Sequence, residues 1–121
     1  MTLELRSQIR RGGLRGAAFV AWLQGMPPGE RDAAVERLLG IEEAPPQEAL
    51  GDGRMGYMPA GIAAVMRTVL DAPIGPGDVL VDLGAGLGKV AMAVHLLTGA
   101  RARGVEVQPA LVAKARERAH D

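Results

Sequence analysis

An apolar run that leads directly into a glycine-rich turn is the feature that most constrains how this 121-residue chain can fold. The run is Val79–Leu83, and three glycines follow it at alternate positions, Gly84, Gly86 and Gly88. Its uninterrupted apolar start predicts a strand that is buried on both faces of a sheet. Glycine has no Cβ, so the three glycines predict a sharp turn that lets a ligand approach the backbone.

A helix, a second strand and a last helix are predicted after the turn. Residues 87–98 carry apolar side chains at helical spacing and stop at Gly99, residues 102–107 resemble a strand, and Pro109 opens the last helix. Strand, helix, strand and helix form the unit of a parallel sheet, in which a right-handed crossover places the two strands side by side. The predicted fold class is α/β, a partial Rossmann-like parallel sheet preceded by a helical extension.

The chain divides near residue 54. Residues 1–53 contain short helical patterns, over 14–24 and 30–39, that are broken by glycine and proline, and we predict a helical N-terminal extension there. Residues 54–121 form the predicted α/β domain, in which Pro59 opens a helix. The inward stripes expected for the helices over 14–24 and after Pro59 are Leu14, Ala18 and Trp22, and Ile62, Val65, Met66, Val69 and Leu70.

Composition excludes several classes of site. The chain has no cysteine, which excludes disulfides and thiolate metal sites and fits a reducing compartment, so we expect a cytoplasmic protein. His95 and His120 have no partner at metal-ligand spacing, and we expect no metal site. No apolar run reaches the length of a membrane span. Residues 1–15 contain four arginines and residues 28–53 contain seven acids. Because no aromatic residues are interleaved with the arginines, this charge pattern predicts solvated surfaces rather than a nucleic-acid site.

Residue spacing separates three cofactor sites that use a glycine turn at the carboxyl end of a strand. A dinucleotide fingerprint needs a small residue where Lys89 stands, and we expect Lys89 to be exposed and without a role. A phosphate-binding loop needs a glycine at Leu83 and a hydroxyl at Val90. The observed pattern has an acid, Asp82, two residues before the first glycine, which suits an ammonium group and repels a phosphate. At the end of the second strand, Glu106 can accept hydrogen bonds from both hydroxyls of a ribose.

The segment Val81–Gly88 resembles the first motif of class I S-adenosylmethionine-dependent methyltransferases, and Gly104–Glu106 resembles the acidic second-strand motif of the same family. The resemblance covers about residues 54–121. It implies the N-terminal half of a methyltransferase domain with S-adenosylmethionine as cofactor. The methyl acceptor, a small molecule or a protein, is not identified by the sequence, and the resemblance implies that the acceptor site lies downstream of Asp121.

The resemblance also implies a role for each matched residue. The glycines would pack against the methionine portion of the cofactor, with Ala85 between the first two. Asp82 would contact its amino group, directly or through water, Glu106 would bind the ribose hydroxyls, and Tyr57 would close over the methionine end. The cofactor-binding residues predicted in this way are Asp82, Gly84, Ala85, Gly86, Gly88, Glu106 and Tyr57.

Two other functions stay open at this point, and no catalytic residue is assigned. One is a binding module that holds S-adenosylmethionine and methylates nothing. The other is a fragment of an NAD(P)-dependent oxidoreductase, which Lys89 disfavours. Methyl transfer needs mainly alignment of the acceptor with the methyl carbon. Because a strand without both neighbours leaves an open apolar edge, we also expect Val79–Leu83 to promote self-association.

Overall fold

The computed structural model describes residues 2–42 and 60–120 and shows a mixed helix and strand fold with a two-stranded parallel sheet. In chain order the elements are α1 (Thr2–Arg10), α2 (Ala17–Gln24), a short 3₁₀ helix (Pro28–Glu30), α3 (Arg31–Leu39), α4 (Ile62–Asp71), β1 (Val79–Leu83), α5 (Lys89–Thr98), β2 (Arg101–Val105) and α6 (Pro109–His120). The α/β class is therefore confirmed. Among these helices, none is both long and apolar enough to cross a membrane.

The sheet places the ends of its two strands side by side. β1 and β2 run parallel, in a register that pairs Val79 with Arg101 at one end and Leu83 with Val105 at the other. The second strand begins one residue before the predicted one and ends two residues earlier. Glu106 therefore lies just beyond β2, at the same edge of the sheet as the glycine turn that follows β1.

One hydrophobic core joins the N-terminal helices to the α/β part of the chain. Phe19 and Leu23 of α2 and Val35 of α3 belong to the same buried cluster as Ile62 of α4 and Val94 of α5. The helix α5 thus packs against the sheet and against helices that precede residue 54. The predicted domain boundary itself lies outside the described residues and stays a prediction.

The inward stripe predicted over residues 14–24 is confirmed at Leu14, which is buried, and at Trp22, which packs against the core, but it is wrong at Ala18. Ala18 is exposed, whereas Phe19 and Leu23 are fully buried. The reason is that the helix begins at Ala17 rather than at Leu14, so the residues that precede it do not share its face. Leu14 is nevertheless buried, as a loop residue at the edge of the same core.

The helix α4 is also shorter and more exposed than predicted. The helix begins at Ile62, and Gly61 before it has an extended backbone, so the prediction that the helix opens at Pro59 is wrong. Ile62 and Val65 are buried as expected. The assignment of Leu70 to the inward stripe is wrong, because this residue, one position before the end of the helix, is 79% exposed.

The turn before β1 lacks the left-handed glycine that a type II turn requires. It is closed by the Asp78 N–H, which donates to the Gly75 carbonyl at 3.0 Å, and Gly77 is not among the glycines with positive φ. The Gly75 N–H in turn donates to the Asp78 carboxylate at 2.8 Å. This second bond closes the turn from the other side. The Pro76-Gly77 pair at the centre of the turn predicts type II, and that prediction is wrong.

One face of the sheet is uncovered, which corrects the prediction of a strand buried on both faces. The other face packs against α5, and Leu80 points into the core on that side. Within residues 2–42 and 60–120, no element covers the opposite face, whose large apolar residues are 52–79% exposed. This bare face consists of Val79, Val81, Leu83, Val105 and Val107.

We predict that the bare face makes the chain self-associate and that Leu83→Thr weakens this association. Burial of a leucine side chain contributes about 2 kcal/mol, so its loss should raise the dimer dissociation constant roughly tenfold or more. The measurement is size-exclusion chromatography with light scattering over a concentration series. Leu70→Thr is the matched control, because Leu70 is equally exposed, at 79%, but lies on α4. Equal effects of both substitutions, or a wild-type monomer throughout, would contradict the prediction.

Candidate functional site

The glycine turn has the backbone conformation that the sequence predicts. Gly84, Gly86 and Gly88 have φ values of 76°, 57° and 86°, in the left-handed region where residues with a Cβ are strained. The N–H groups of Gly84 and Ala85 donate to the carbonyl of Val105 at 2.8 and 2.9 Å. The turn is therefore fixed to the last residue of β2 and passes directly over the end of that strand.

A steric constraint requires glycine at position 104, in the second motif. A Cβ placed on Gly104 would lie 2.6 Å from the Cβ of Ala85, which is closer than two carbon atoms can approach. Gly104 is paired with Asp82 across the sheet. The two motifs therefore touch through Ala85, and the absence of a side chain at position 104 lets the turn lie against β2.

Glu106 connects the glycine turn to the start of α6. Its Oε1 accepts a hydrogen bond from the N–H of Gly86 at 3.0 Å, and its Oε2 accepts one from the N–H of Gln108 at 2.8 Å. The side chain is half-buried. A carboxylate oxygen can accept more than one hydrogen bond. Both oxygens therefore keep acceptor capacity while the two backbone contacts fix the orientation of the carboxylate.

Asp82 carries a carboxylate that no described residue compensates. Its side chain is half-buried in β1, and burial raises the pKa of the Asp82 carboxyl above its ordinary value of 3.8. In residues 2–42 and 60–120, no group donates a hydrogen bond to it. A buried carboxylate without a partner is stabilised by any cationic group that reaches it.

The structure brings six of the seven predicted site residues to one end of the sheet. These are Asp82, Gly84, Ala85, Gly86, Gly88 and Glu106. The seventh, Tyr57, lies outside the described residues, and its assignment stays a prediction. Within the described ranges, no three histidine, cysteine or acidic residues gather at one place.

A cavity of about 750 Å³ begins at this turn. Ala85, Gly86, Gly88 and Glu106 line one end of it, whereas Asp82 and Gly84 do not. From there it extends between α1, α5, α6 and the open edge of β2. Its size is in the range of cavities that hold small-molecule ligands. We refer to it as the α5–α6 cavity.

Lys89 is buried, and the prediction that it is exposed and without a role is wrong. Only 3% of the residue is accessible to solvent. Its Nζ donates to Oδ1 of Asp32 at 2.7 Å and to Oε1 of Glu36 at 3.0 Å. The first residue of α5 is thus held by two carboxylates one turn apart on α3. The signal in the sequence was the i, i+4 pair of acids in one helix together with a lone lysine in an otherwise apolar segment.

The same aspartate also holds the start of α4. Oδ1 of Asp32 accepts a hydrogen bond from the N–H of Ile62 at 2.7 Å. Burial alone raises the pKa of Asp32, but the hydrogen bonds from Lys89 and Ile62 and the charge of Lys89 outweigh it and bring the pKa below 3.8. One carboxylate therefore joins three helices, and two of them, α4 and α5, begin at it.

No protein-family model, no curated protein and no solved structure matches this chain. The functional interpretation therefore depends on the residues of the turn, the cavity and the Lys89 contacts described above.

We predict that Lys89→Met lowers the free energy of unfolding by about 2 kcal/mol at pH 7. Loss of one partner from a fully buried ion pair costs about 3–5 kcal/mol, and the cost is smaller here because the side chains of Asp32 and Glu36 are 47% and 26% exposed. Because the Asp32 pKa is lowered from 3.8, its contribution is present above that pH and is lost as the pH falls through the lowered value. The difference between wild type and variant should therefore shrink in acid.

Urea unfolding at pH 7 and at about pH 3 measures this difference. Lys114→Met is the matched control, since Lys114 is half-buried on α6 and no described carboxylate pairs with it. A Lys89→Met variant that is as stable as Lys114→Met, or a difference that does not depend on pH, would contradict the prediction.

Proposed function

We propose that this chain binds S-adenosylmethionine at the glycine turn and forms the cofactor-binding part of a methyltransferase with a Rossmann-like fold. The observation that carries the proposal is the hydrogen bond from the Gly86 N–H to the Glu106 carboxylate, at 3.0 Å. It brings the two motifs of the sequence into direct contact at the carboxyl edge of the sheet. Ligands of open parallel sheets bind at this edge.

The backbone of the turn supports a ligand that approaches closely. Apart from Gly84 itself and its two neighbours in the chain, no described residue has an atom within 4 Å of the position where a Cβ on Gly84 would be, so the space beside this residue is open. The left-handed conformation of Gly84, Gly86 and Gly88 strains any other residue there. The turn therefore combines an open surface with a fixed shape, which is the condition for a pre-formed binding site.

The charges around the turn support a cofactor that has an ammonium group and a ribose. The uncompensated carboxylate of Asp82 stands two residues before Gly84 and favours a cation. Glu106, held by the N–H groups of Gly86 and Gln108, keeps acceptor capacity for hydroxyl groups. We propose that Asp82 orients the amino group of the methionine portion and that Glu106 binds the ribose hydroxyls.

The cofactor supplies the methyl group when it is bound, and the residues of this chain orient it. Because transfer depends mainly on alignment of the acceptor, we propose no catalytic residue. The acceptor, a small molecule or a protein, stays unidentified. The proposed compartment is the cytoplasm, since the chain has no cysteine.

A cofactor with a pyrophosphate, as in NAD(P), is the second candidate. The observation that favours it is the set of arginines that line the α5–α6 cavity, because arginine binds phosphate groups. Two observations oppose it. Asp82 repels a phosphate at the turn, and Lys89 stands where the dinucleotide fingerprint needs a small residue.

A module that binds S-adenosylmethionine without methyl transfer uses the same site, and it differs only in lacking an acceptor.

We predict that titration calorimetry shows binding of S-adenosylhomocysteine and no binding of NAD or NADP. Glu106→Gln should weaken binding about tenfold or more, since a hydrogen bond to a charged group contributes about 1.5–3 kcal/mol. Glu117→Gln, on the exposed side of α6, is the matched control and should leave the affinity unchanged. Binding of NADP alone by a folded protein would favour the second candidate. Equal affinities of the two glutamine variants would overturn the assignment of Glu106.

We predict that Asp82→Asn weakens S-adenosylhomocysteine binding and at the same time raises the stability of the ligand-free chain. Because the pKa of Asp82 is raised from 3.8 in the folded chain, ionisation of this carboxyl lowers the stability of the fold. The stability is lost as the pH rises from 3.8 through the pKa of the folded state, so the loss is complete at pH 7. Asparagine removes that charge. Thermal unfolding at pH 7 should give a higher Tm for the variant. A lower Tm together with unchanged affinity would show that the Asp82 carboxylate has a structural role instead.

A further inference from the structure

The α5–α6 cavity extends well beyond the glycine turn, and its walls are largely apolar. Ile9 of α1, Leu38 of α3, Met92 and Leu96 of α5 and Val112 of α6 line it. Asp82 and Gly84, which are part of the proposed cofactor site, do not line it. The cavity therefore offers a hydrophobic volume that the proposed function does not use.

Arginines dominate the charged residues of this cavity. Glu106 is the single acidic residue among the described residues that line it. The whole chain has 14 basic and 14 acidic residues, so the excess of positive charge here is local. The arginines are Arg6, Arg10, Arg15, Arg101, Arg103, Arg116 and Arg118.

Most of the charge of these arginines is not neutralised by carboxylates. Arg6 donates to a main-chain carbonyl of α3 at 2.9 Å. For Arg15, Arg101, Arg103 and Arg116, no carboxylate of the described residues lies within the 4.0 Å of an ion pair. Of these four, Arg101 and Arg103 share the sheet face of Val79 and Val81, so Arg15 and Arg116 are the two that belong to the cavity and not to the sheet. Their like charges repel each other, and an anion between them would relieve that repulsion.

We propose that the α5–α6 cavity binds an organic anion with a hydrophobic body. A carboxylate or phosphate on such a molecule matches the planar guanidinium groups. The hydrocarbon part matches the apolar walls, because removal of apolar surface from water is favourable. This inference goes beyond the proposed cofactor site, which shares one end of the cavity through Ala85, Gly86, Gly88 and Glu106.

The bare face of the sheet is the rival site for the same kind of ligand. The register pairs Arg101 with Val79 and Arg103 with Val81, so these two arginines lie beside exposed valines. A test must therefore use cavity arginines that do not belong to the sheet. Arg15, which precedes α2, and Arg116 of α6 meet this condition, and both are exposed, so their substitution leaves the core intact.

Titration calorimetry with three probes separates the contributions of the charge and the hydrophobic body. Sodium decanoate has both, acetate has only the charge, and decyltrimethylammonium has the same chain with the opposite charge. Decanoate and decyltrimethylammonium are used below their micellar concentrations, and all three titrations use the full chain. We expect saturable binding of decanoate at one site, with acetate and decyltrimethylammonium at least tenfold weaker. Equal binding of decanoate and decyltrimethylammonium would overturn the proposal, because it would leave the arginines without a role.

Variants then locate the site. The double variant Arg15→Gln/Arg116→Gln should weaken decanoate binding at least tenfold. Arg67→Gln, an exposed arginine of α4 that does not line the cavity, is the matched control and should leave it unchanged. Val81→Thr/Leu83→Thr, on the bare face, should also leave it unchanged. Equal affinities of the double variant and Arg67→Gln, or loss of binding in the bare-face variant, would overturn the proposal.

A parallel titration with S-adenosylhomocysteine distinguishes this inference from the proposed function. The double variant should keep its affinity for S-adenosylhomocysteine. Glu106→Gln should bind decanoate at least as tightly as the wild type, because it removes a negative charge from the wall of the cavity. Far-ultraviolet circular dichroism of each variant establishes that it is folded. A protein that binds S-adenosylhomocysteine but not decanoate would overturn the cavity assignment alone.

Discussion

The contact of the Lys89 ammonium group with Asp32 and Glu36 determines how the two parts of the chain are arranged. Lys89 is the first residue after the glycine turn, and its partners lie on a helix of the N-terminal segment. A buried cation needs carboxylate partners, so α3 must lie against the start of α5. Because Asp32 also accepts the N–H of Ile62, the same contact fixes where α4 begins. The position of the turn therefore depends on residues far from it in the chain.

The two motifs of the proposed cofactor site are linked by backbone contacts rather than by side-chain packing alone. The carbonyl of Val105 accepts two N–H groups of the turn, and the Glu106 carboxylate accepts a third. Glu106 is therefore already oriented in the ligand-free chain, which lowers the ordering cost of binding. Asp82 differs, because no described residue donates a hydrogen bond to its carboxylate.

Local patterns made the strand, turn, helix and strand around the glycines predictable. Glycine at three alternate positions after an apolar run admits few conformations, and all three have the expected left-handed φ. Long-range features were not predictable in the same way. The partners of Lys89 are 57 and 53 residues away along the chain, and no period of the sequence encodes such a contact. The apolar run of β1 likewise predicts a buried strand, but it does not specify how many elements cover the sheet. Among the described residues, none covers the bare face.

The gap between the glycine turn and β2 is too narrow for even a methyl group at position 104. The size of residue 104 therefore determines how closely the turn approaches β2, although this residue has no side chain that could contact a ligand. A larger residue at position 104 would push Ala85 away from the strand. The N–H groups of Gly84 and Ala85 would then no longer donate to the carbonyl of Val105. A substitution in the strand would in this way deform the proposed binding surface as directly as one in the turn, and the two segments must vary together.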